Sequence, residues 1–148
     1  METLNLDLAK KASLYAIKWD RGVFKDDWDI FICLEEFKGT MLIPTGTVGS
    51  VWEANVMVVN NVNLGASTLS LEYTETHLSE IKPEDINKVK NVATFIAIPS
   101  HTEKFASLLA KIQRNKRGDR RQWVVNVIKA LEDRKIVEKG TSYNVPPS

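Results

Sequence analysis

The sequence predicts an α+β domain, in which an antiparallel sheet of about five to six strands packs against two C-terminal helices. Apolar and polar residues alternate with a period of two in the first part of the chain, as half-buried strands do. Apolar residues recur at helical spacing in the last part. A length of 148 residues, with 43% hydrophobic and 26% charged residues, is typical of one globular domain.

Five strands are predicted in the first half of the chain. The clearest covers residues 28–35, and its even-numbered residues, from Trp28 to Leu34, are expected to face the main core because alternate side chains point to opposite faces. The turn signal Lys38-Gly39 follows it. Strands joined by short turns pair antiparallel, so we predict a meander. Its strands comprise residues 12–19, 28–35, 40–44, 52–59 and 69–73.

Helices dominate the second half. Pro83 begins a short helix, because proline is favoured in a first helical turn, and the apolar run 93–98 is predicted to be one more strand. Apolar spacing predicts an amphipathic helix over residues 101–114. A last helix begins at the N-cap residue Asp119 and ends near Asp133.

We expect a single domain over residues 1–148. Its parts are a leader (1–10), a strand-rich part (12–98), a helical part (101–133) and a short extended tail (138–148).

Composition excludes several classes of protein. The net charge of +1 gives no global attraction to nucleic acid or to an anionic membrane. One cysteine, Cys33, cannot form an internal disulfide or a thiolate zinc site alone. No apolar run approaches the length of a membrane span, and the N-terminus is too charged for a signal peptide. We therefore expect a cytoplasmic protein with no membrane partner, and the sequence leaves a homodimer open.

Searches for catalytic and metal-binding motifs find little. The chain has no glycine-rich phosphate loop, and His77 and His101 lack metal-ligand spacing to each other or to Cys33. Cys33 lies within a strand, not at a helix N-terminus where a thiolate would be stabilised. We interpret it as a small hydrophobic residue and expect neither a metal nor a cofactor.

Basic residues cluster around the junction of the last two helices. A solvated helix face is the common interpretation, and nucleic-acid binding is the alternative. The segment from Trp123 to Val145 also resembles the end of a winged helix, although the strand-rich first half argues against that module. Two arginines in the first turn of a helix are electrostatically unfavourable and could bind an anion or pair with carboxylates. The cluster comprises Lys111, Arg114, Lys116, Arg117, Arg120 and Arg121.

Two segments carry a resemblance to a family. DDWDIFICL, residues 26–34, resembles the His-Trp-x-Ile-x-Leu strand of a family of uncharacterised fungal proteins. GDRRQWVVNVIKALEDRKIV, residues 118–137, resembles the Gly-Cys-Arg-x-Trp helix of the same family. The order, with the strand histidine before the helix cysteine, is similar to circularly permuted NlpC-type hydrolases and to the lecithin:retinol acyltransferase group. The resemblance covers residues 12–137 and implies a permuted papain-like fold.

The chain departs from this family at both chemical positions. In the family pattern, a cysteine at a helix N-terminus is activated by a strand histidine. Here Trp28, Arg121 and Trp123 match the pattern, but Asp27 stands in the place of the histidine and Arg120 in the place of the cysteine. The resemblance therefore implies that an ion pair between Asp27 and Arg120 replaces the dyad.

These observations predict a small-molecule site in a degenerate thiol-hydrolase cleft. The expected chemistry is acid–base cyclisation, isomerisation or elimination, as in fungal specialised metabolism, with a carboxylate as base and arginine stabilising an anion. The alternatives are a catalytically inactive interaction protein that uses the basic helix junction, and a thiol hydrolase that uses Cys33 with His101. Predicted catalytic residues are Asp27, Arg120 and Arg121; predicted substrate-binding residues are Trp28, Asp29, Phe31, Trp52, Glu53 and Trp123.

Overall fold

The computed structural model describes residues 11–20, 27–35, 38–45, 56–64, 72–99 and 119–147. In this part of the chain, five antiparallel strands form one sheet, and helices pack on one of its faces. The α+β class and the antiparallel sheet are confirmed. The elements are β1 (Ala12–Asp20), β2 (Asp27–Glu35), β3 (Lys38–Pro44), β4 (Val56–Asn63), β5 (Glu72–Ile81), α1 (Ile86–Phe95) and α2 (Arg120–Asp133), with 3₁₀ turns at Pro83–Asp85 and Thr141–Asn144.

The strand order is β4-β3-β2-β1-β5, which corrects the predicted meander. The first four strands do follow one another, but β5 pairs with β1 at the far edge instead of with β4. Strand β1 therefore has hydrogen-bonded neighbours on both sides, so its buried backbone groups are paired. Ala16 and Ile17, at its centre, are almost fully buried.

Both faces of the sheet carry apolar clusters. Trp28 and Ile30 point towards the helices and join the larger core. Ile17, Phe31 and other residues form a second cluster on the opposite face. The first six residues of β2 are consequently all buried. Period-two alternation thus distributes the side chains of β2 between two buried faces.

Two sequence predictions along the sheet and α1 are wrong. Leu34 is not part of the core and is 49% exposed; it lies at a bulge in β2, where the pairing with β3 shifts between Cys33 and Glu35. The run 93–98 is not a strand: α1 continues to Phe95, because Val89 and Ala93 extend one apolar helical stripe that is buried against the sheet.

Helix α2 begins and ends as the sequence predicts. The Asp119 side chain accepts a hydrogen bond from the amide of Gln122 (2.9 Å), so it is an N-cap. After the helix, the chain is not extended as expected but forms the 3₁₀ turn Thr141–Asn144. The backbone amide of Ser142 in this turn donates a hydrogen bond to the Glu132 carboxylate (2.8 Å). The predicted leader 1–10 and the predicted helix 101–114 lie outside the described residues.

Candidate functional site

The predicted ion pair between Asp27 and Arg120 is present. Asp27 is the first residue of β2 and Arg120 is the first residue of α2, and their Oδ1 and Nη1 atoms are 3.8 Å apart. The side chains are only 11% and 12% exposed. A positive charge in a first helical turn opposes the helix dipole. The Asp27 carboxylate offsets that unfavourable charge, which explains how the arginine is tolerated there.

The predicted tryptophan walls belong to the hydrophobic core. Trp28 and Trp123 are each at most 1% exposed. The Trp123 indole donates a hydrogen bond to the carbonyl of Ile96 (3.2 Å), and the Lys18 ammonium lies 5.7 Å from the Trp28 ring centroid. The two rings therefore join α2, α1 and the sheet. Their described contacts are those of packing residues.

The other described candidates also have structural partners. Phe31 lies on the opposite face of the sheet from Trp28, so the two cannot line one cleft. The buried Asp29 carboxylate accepts a hydrogen bond from the Trp19 indole (2.6 Å). Arg121 donates to the carbonyl of Pro146 (2.7 Å) and so holds the C-terminal segment.

Several predicted residues lie outside the described part of the chain. They are Trp52, Glu53, His101, Lys111, Arg114, Lys116 and Arg117.

The described thiol and imidazole do not form a dyad. Cys33 is half-buried, and its Sγ donates to the carbonyl of Glu35 (2.7 Å). His77 lies on β5, with β1 and its Tyr15 ring between β5 and β2. Two strand spacings of nearly 5 Å, together with an offset of two residues along β1, separate Cys33 and His77 by more than about 10 Å. Burial, and then the nearby Cys33 and Glu75, raise the pKa of Tyr15, so its phenol remains protonated at neutral pH.

A polar cavity at the far end of β2 was missed by the sequence analysis. Its volume is about 500 Å³, within the usual range for small-molecule sites. The pair Asn60-Asn61 is a turn signal in the sequence, beyond the predicted strand 52–59, but it lies inside β4, which continues to Asn63. Its lining residues are Leu34, Glu35, Lys38, Gly39, Thr40, Asn60, Asn61, Asn63 and Lys90.

Clusters of metal-ligating side chains and helices of membrane-spanning length were sought within the described ranges. No three side chains of the metal-ligating types come together there. None of the helices found in these ranges is both long and apolar enough to span a bilayer.

The fold and the site together define an antiparallel α+β protein in which a carboxylate–guanidinium pair joins the start of the central strand to the N-terminus of a helix. Residues 14–138 match a family of unknown function, DUF6540, and the chain belongs to this family. Comparison with curated proteins and with solved structures gives no match.

Proposed function

We propose that this protein binds a small molecule on a degenerate thiol-hydrolase scaffold and does not perform thiol hydrolysis. The observation that carries the proposal is the ion pair between Asp27 and Arg120. By the resemblance, these two positions correspond to the histidine and the cysteine of the dyad. A guanidinium stays protonated and cannot act as a nucleophile.

The described contacts argue against a catalytic role for the residues around this pair. Trp28 and Trp123 are committed to the core, and Asp29 and Arg121 to structural hydrogen bonds. The residues beside the two dyad positions therefore stabilise the fold.

A second candidate is an acid–base enzyme that uses the same pair. The separation of 3.8 Å is longer than a hydrogen bond, and each side chain keeps about a tenth of its surface exposed. A substrate anion could therefore compete for Arg120 and release Asp27 as a general base. Cyclisation, isomerisation or elimination of a small metabolite, as in fungal specialised metabolism, suits this chemistry.

Binding of nucleic acid or another macromolecule through the basic helix junction is less well supported. Of the six basic residues, the two that the structure describes, Arg120 and Arg121, have intramolecular partners. The proposed location is the cytoplasm, because a lone cysteine suits a reducing compartment. A homodimer is proposed as the assembly to test by analytical ultracentrifugation.

Native mass spectrometry of the purified protein, followed by denaturing release, tests the proposed function. We expect a noncovalently retained small molecule, and we expect Cys33→Ser to retain it equally. A covalent acyl adduct on Cys33 after incubation with thioester or activated-ester substrates would contradict the proposal. If the released compound is converted by the wild type and not by Asp27→Asn, the acid–base enzyme replaces the binding protein.

A further inference from the structure

We propose that the polar cavity at the far end of β2 binds a small hydroxylated carboxylate, with Lys90 and Lys38 receiving the carboxylate and asparagine side chains receiving the hydroxyl groups. This inference rests on the proposed function, a small-molecule-binding protein, and assigns its ligand site and ligand class. The site lies at the opposite end of β2 from Asp27.

A bulge in β4 borders this cavity. Met41 pairs with Val59 and Gly39 pairs with Val62, so two residues of β4, Asn60 and Asn61, lie opposite the single residue Thr40. Asn61 has a φ of 58°, in the left-handed region that asparagine tolerates better than most residues. Bulges re-aim side chains and are over-represented next to functional sites.

The floor of the cavity depends on one glycine. A Cβ atom added to Gly39 would lie 1.8 Å from the backbone oxygen of Ile32, so only glycine allows β3 to approach β2 this closely. Gly39 and Thr40 are buried, whereas Lys38, Asn60 and Asn61 are exposed at the rim. The cavity is thus lined both by exposed side chains and by buried residues of β3.

Hydrogen bonding orients the amide groups. The Thr40 hydroxyl donates to Oδ1 of Asn60 at 3.1 Å, which occupies the acceptor end of that amide. The Nδ2 group, with its two N–H donors, remains for a ligand oxygen. Asn61 and Asn63 also line the cavity, so three asparagine residues border one small volume. Such a set suits hydroxyl and carbonyl groups.

The charges favour an anion with a single negative charge. Lys90 of α1 and Lys38 of β3 both line the cavity, and within the described part of the chain neither pairs with a carboxylate. Glu35 is the one carboxylate among the described lining residues, which together carry a net charge of about +1 at neutral pH. A dianionic phosphate would meet Glu35 without the arginine fork or helix N-terminus that phosphate sites use. A carboxylate is better matched.

One wall of the cavity is apolar. Leu34 is 49% exposed and lines the cavity at the bulge in β2 between Cys33 and Glu35. A ligand with a hydrocarbon face, such as the C–H face of a sugar ring, would cover this leucine and remove apolar surface from water. Sugar acids combine that face with hydroxyl groups and one carboxylate.

Titration of glucuronate into ¹⁵N-labelled protein, followed by NMR, tests the assignment, with glucose and inorganic phosphate as comparison probes. We expect shifts of the amides at 38–40, 60–63 and 90, and weaker or absent shifts with glucose. Lys90→Gln should weaken glucuronate binding about tenfold, the usual loss for one charge-assisted contact. Lys88→Gln is the matched control, since Lys88 lies on the same helix and pairs with Asp85 at 3.3 Å.

Three results would overturn the assignment. The first is equal weakening of glucuronate binding by Lys88→Gln and Lys90→Gln, and the second is tighter binding of phosphate than of glucuronate. The third is no shift of these amides with any probe at 50 mM, a concentration that would nearly saturate a site of roughly millimolar affinity. The proposed function can survive this failure: if native mass spectrometry finds a retained molecule whose binding is unchanged in Lys90→Gln and Asn60→Ala, the protein binds its ligand elsewhere. If no molecule is retained but glucuronate binds as expected, the cavity assignment stands.

Discussion

Replacing Asp27 with alanine should destabilise the protein by about 3 kcal/mol. At 3.8 Å and an effective dielectric constant of about 20, the Coulomb attraction between Asp27 and Arg120 is about 4 kcal/mol. Removing one partner of a buried pair costs about 3–5 kcal/mol, because the other charge stays behind in a poorly solvated site. We expect the lower end of that range, since each side chain keeps about a tenth of its surface exposed.

Thermal and urea denaturation measure this loss. For a chain of this size, 1 kcal/mol corresponds to about 2–4 °C, so Asp27→Ala should lower Tm by about 6–12 °C. The double variant Asp27→Ala with Arg120→Met should recover much of the loss, because it leaves no charge behind. A double-mutant cycle isolates the coupling between the two positions; it equals the recovered loss plus the cost of Arg120→Met alone, so we expect it to exceed about 2 kcal/mol.

The Lys11–Glu80 pair is the matched control. Its atoms are closer, at 3.3 Å, but its side chains are 67% and 55% exposed. Exposed pairs contribute at most about 1 kcal/mol, so Glu80→Ala should have a small effect. Equal losses for Asp27→Ala and Glu80→Ala, or a double variant as unstable as Asp27→Ala alone, would refute the reasoning.

Two further predictions concern a strand contact and a pH dependence. Gly39→Ala should lower Tm far more than Gly140→Ala, because the new Cβ at position 39 would lie 1.8 Å from a backbone oxygen. At Gly140 (φ 97°) the nearest atom is 3.9 Å away, so only backbone strain opposes the change. The reverse order in thermal melts would contradict this prediction. Burial opposes ionisation of Glu132, but hydrogen bonds from the amides of Ser142 and Gly140 outweigh it and lower the pKa of this carboxyl below 4.5. The folded pKa lies below the unfolded value, so the stabilisation is present above pH 4.5 and is lost as the pH falls through the folded pKa. Urea melts from pH 7 to pH 3 should show a shallower acid loss for Glu132→Gln than for the wild type or the exposed Glu84→Gln, and equal slopes would contradict it.

The elements that depend on local patterns could be predicted from the sequence. The cap at Asp119 and the apolar stripe that follows it predict α2 and its end at Asp133, because capping and helical spacing involve residues within one or two turns. The alternation in β2 predicts that strand to within one residue. The run 93–98 misled because short apolar runs fit a strand and a buried helix equally well.

The candidate site was predictable only in part. The ion pair between Asp27 and Arg120 was inferred from the resemblance, since nothing in the periodicity brings β2 to the start of α2. The roles of Asp29 and Arg121 could not be inferred, because their partners, Trp19 and Pro146, are set by sheet register and by the path of the tail.

The sequence by itself determined the α+β class, the antiparallel pairing of the early strands and the bounds of α2. Only the tertiary structure decided that β5 returns to pair with β1, that Leu34 is exposed, and that a bulge at Asn60 and Asn61 opens a polar cavity beside Lys90. The physical reason is how far apart along the chain the interacting residues lie. Periodicity and caps record interactions between residues close in the chain, whereas strand order, the coverage of a sheet end and the lining of a cavity depend on contacts between distant segments.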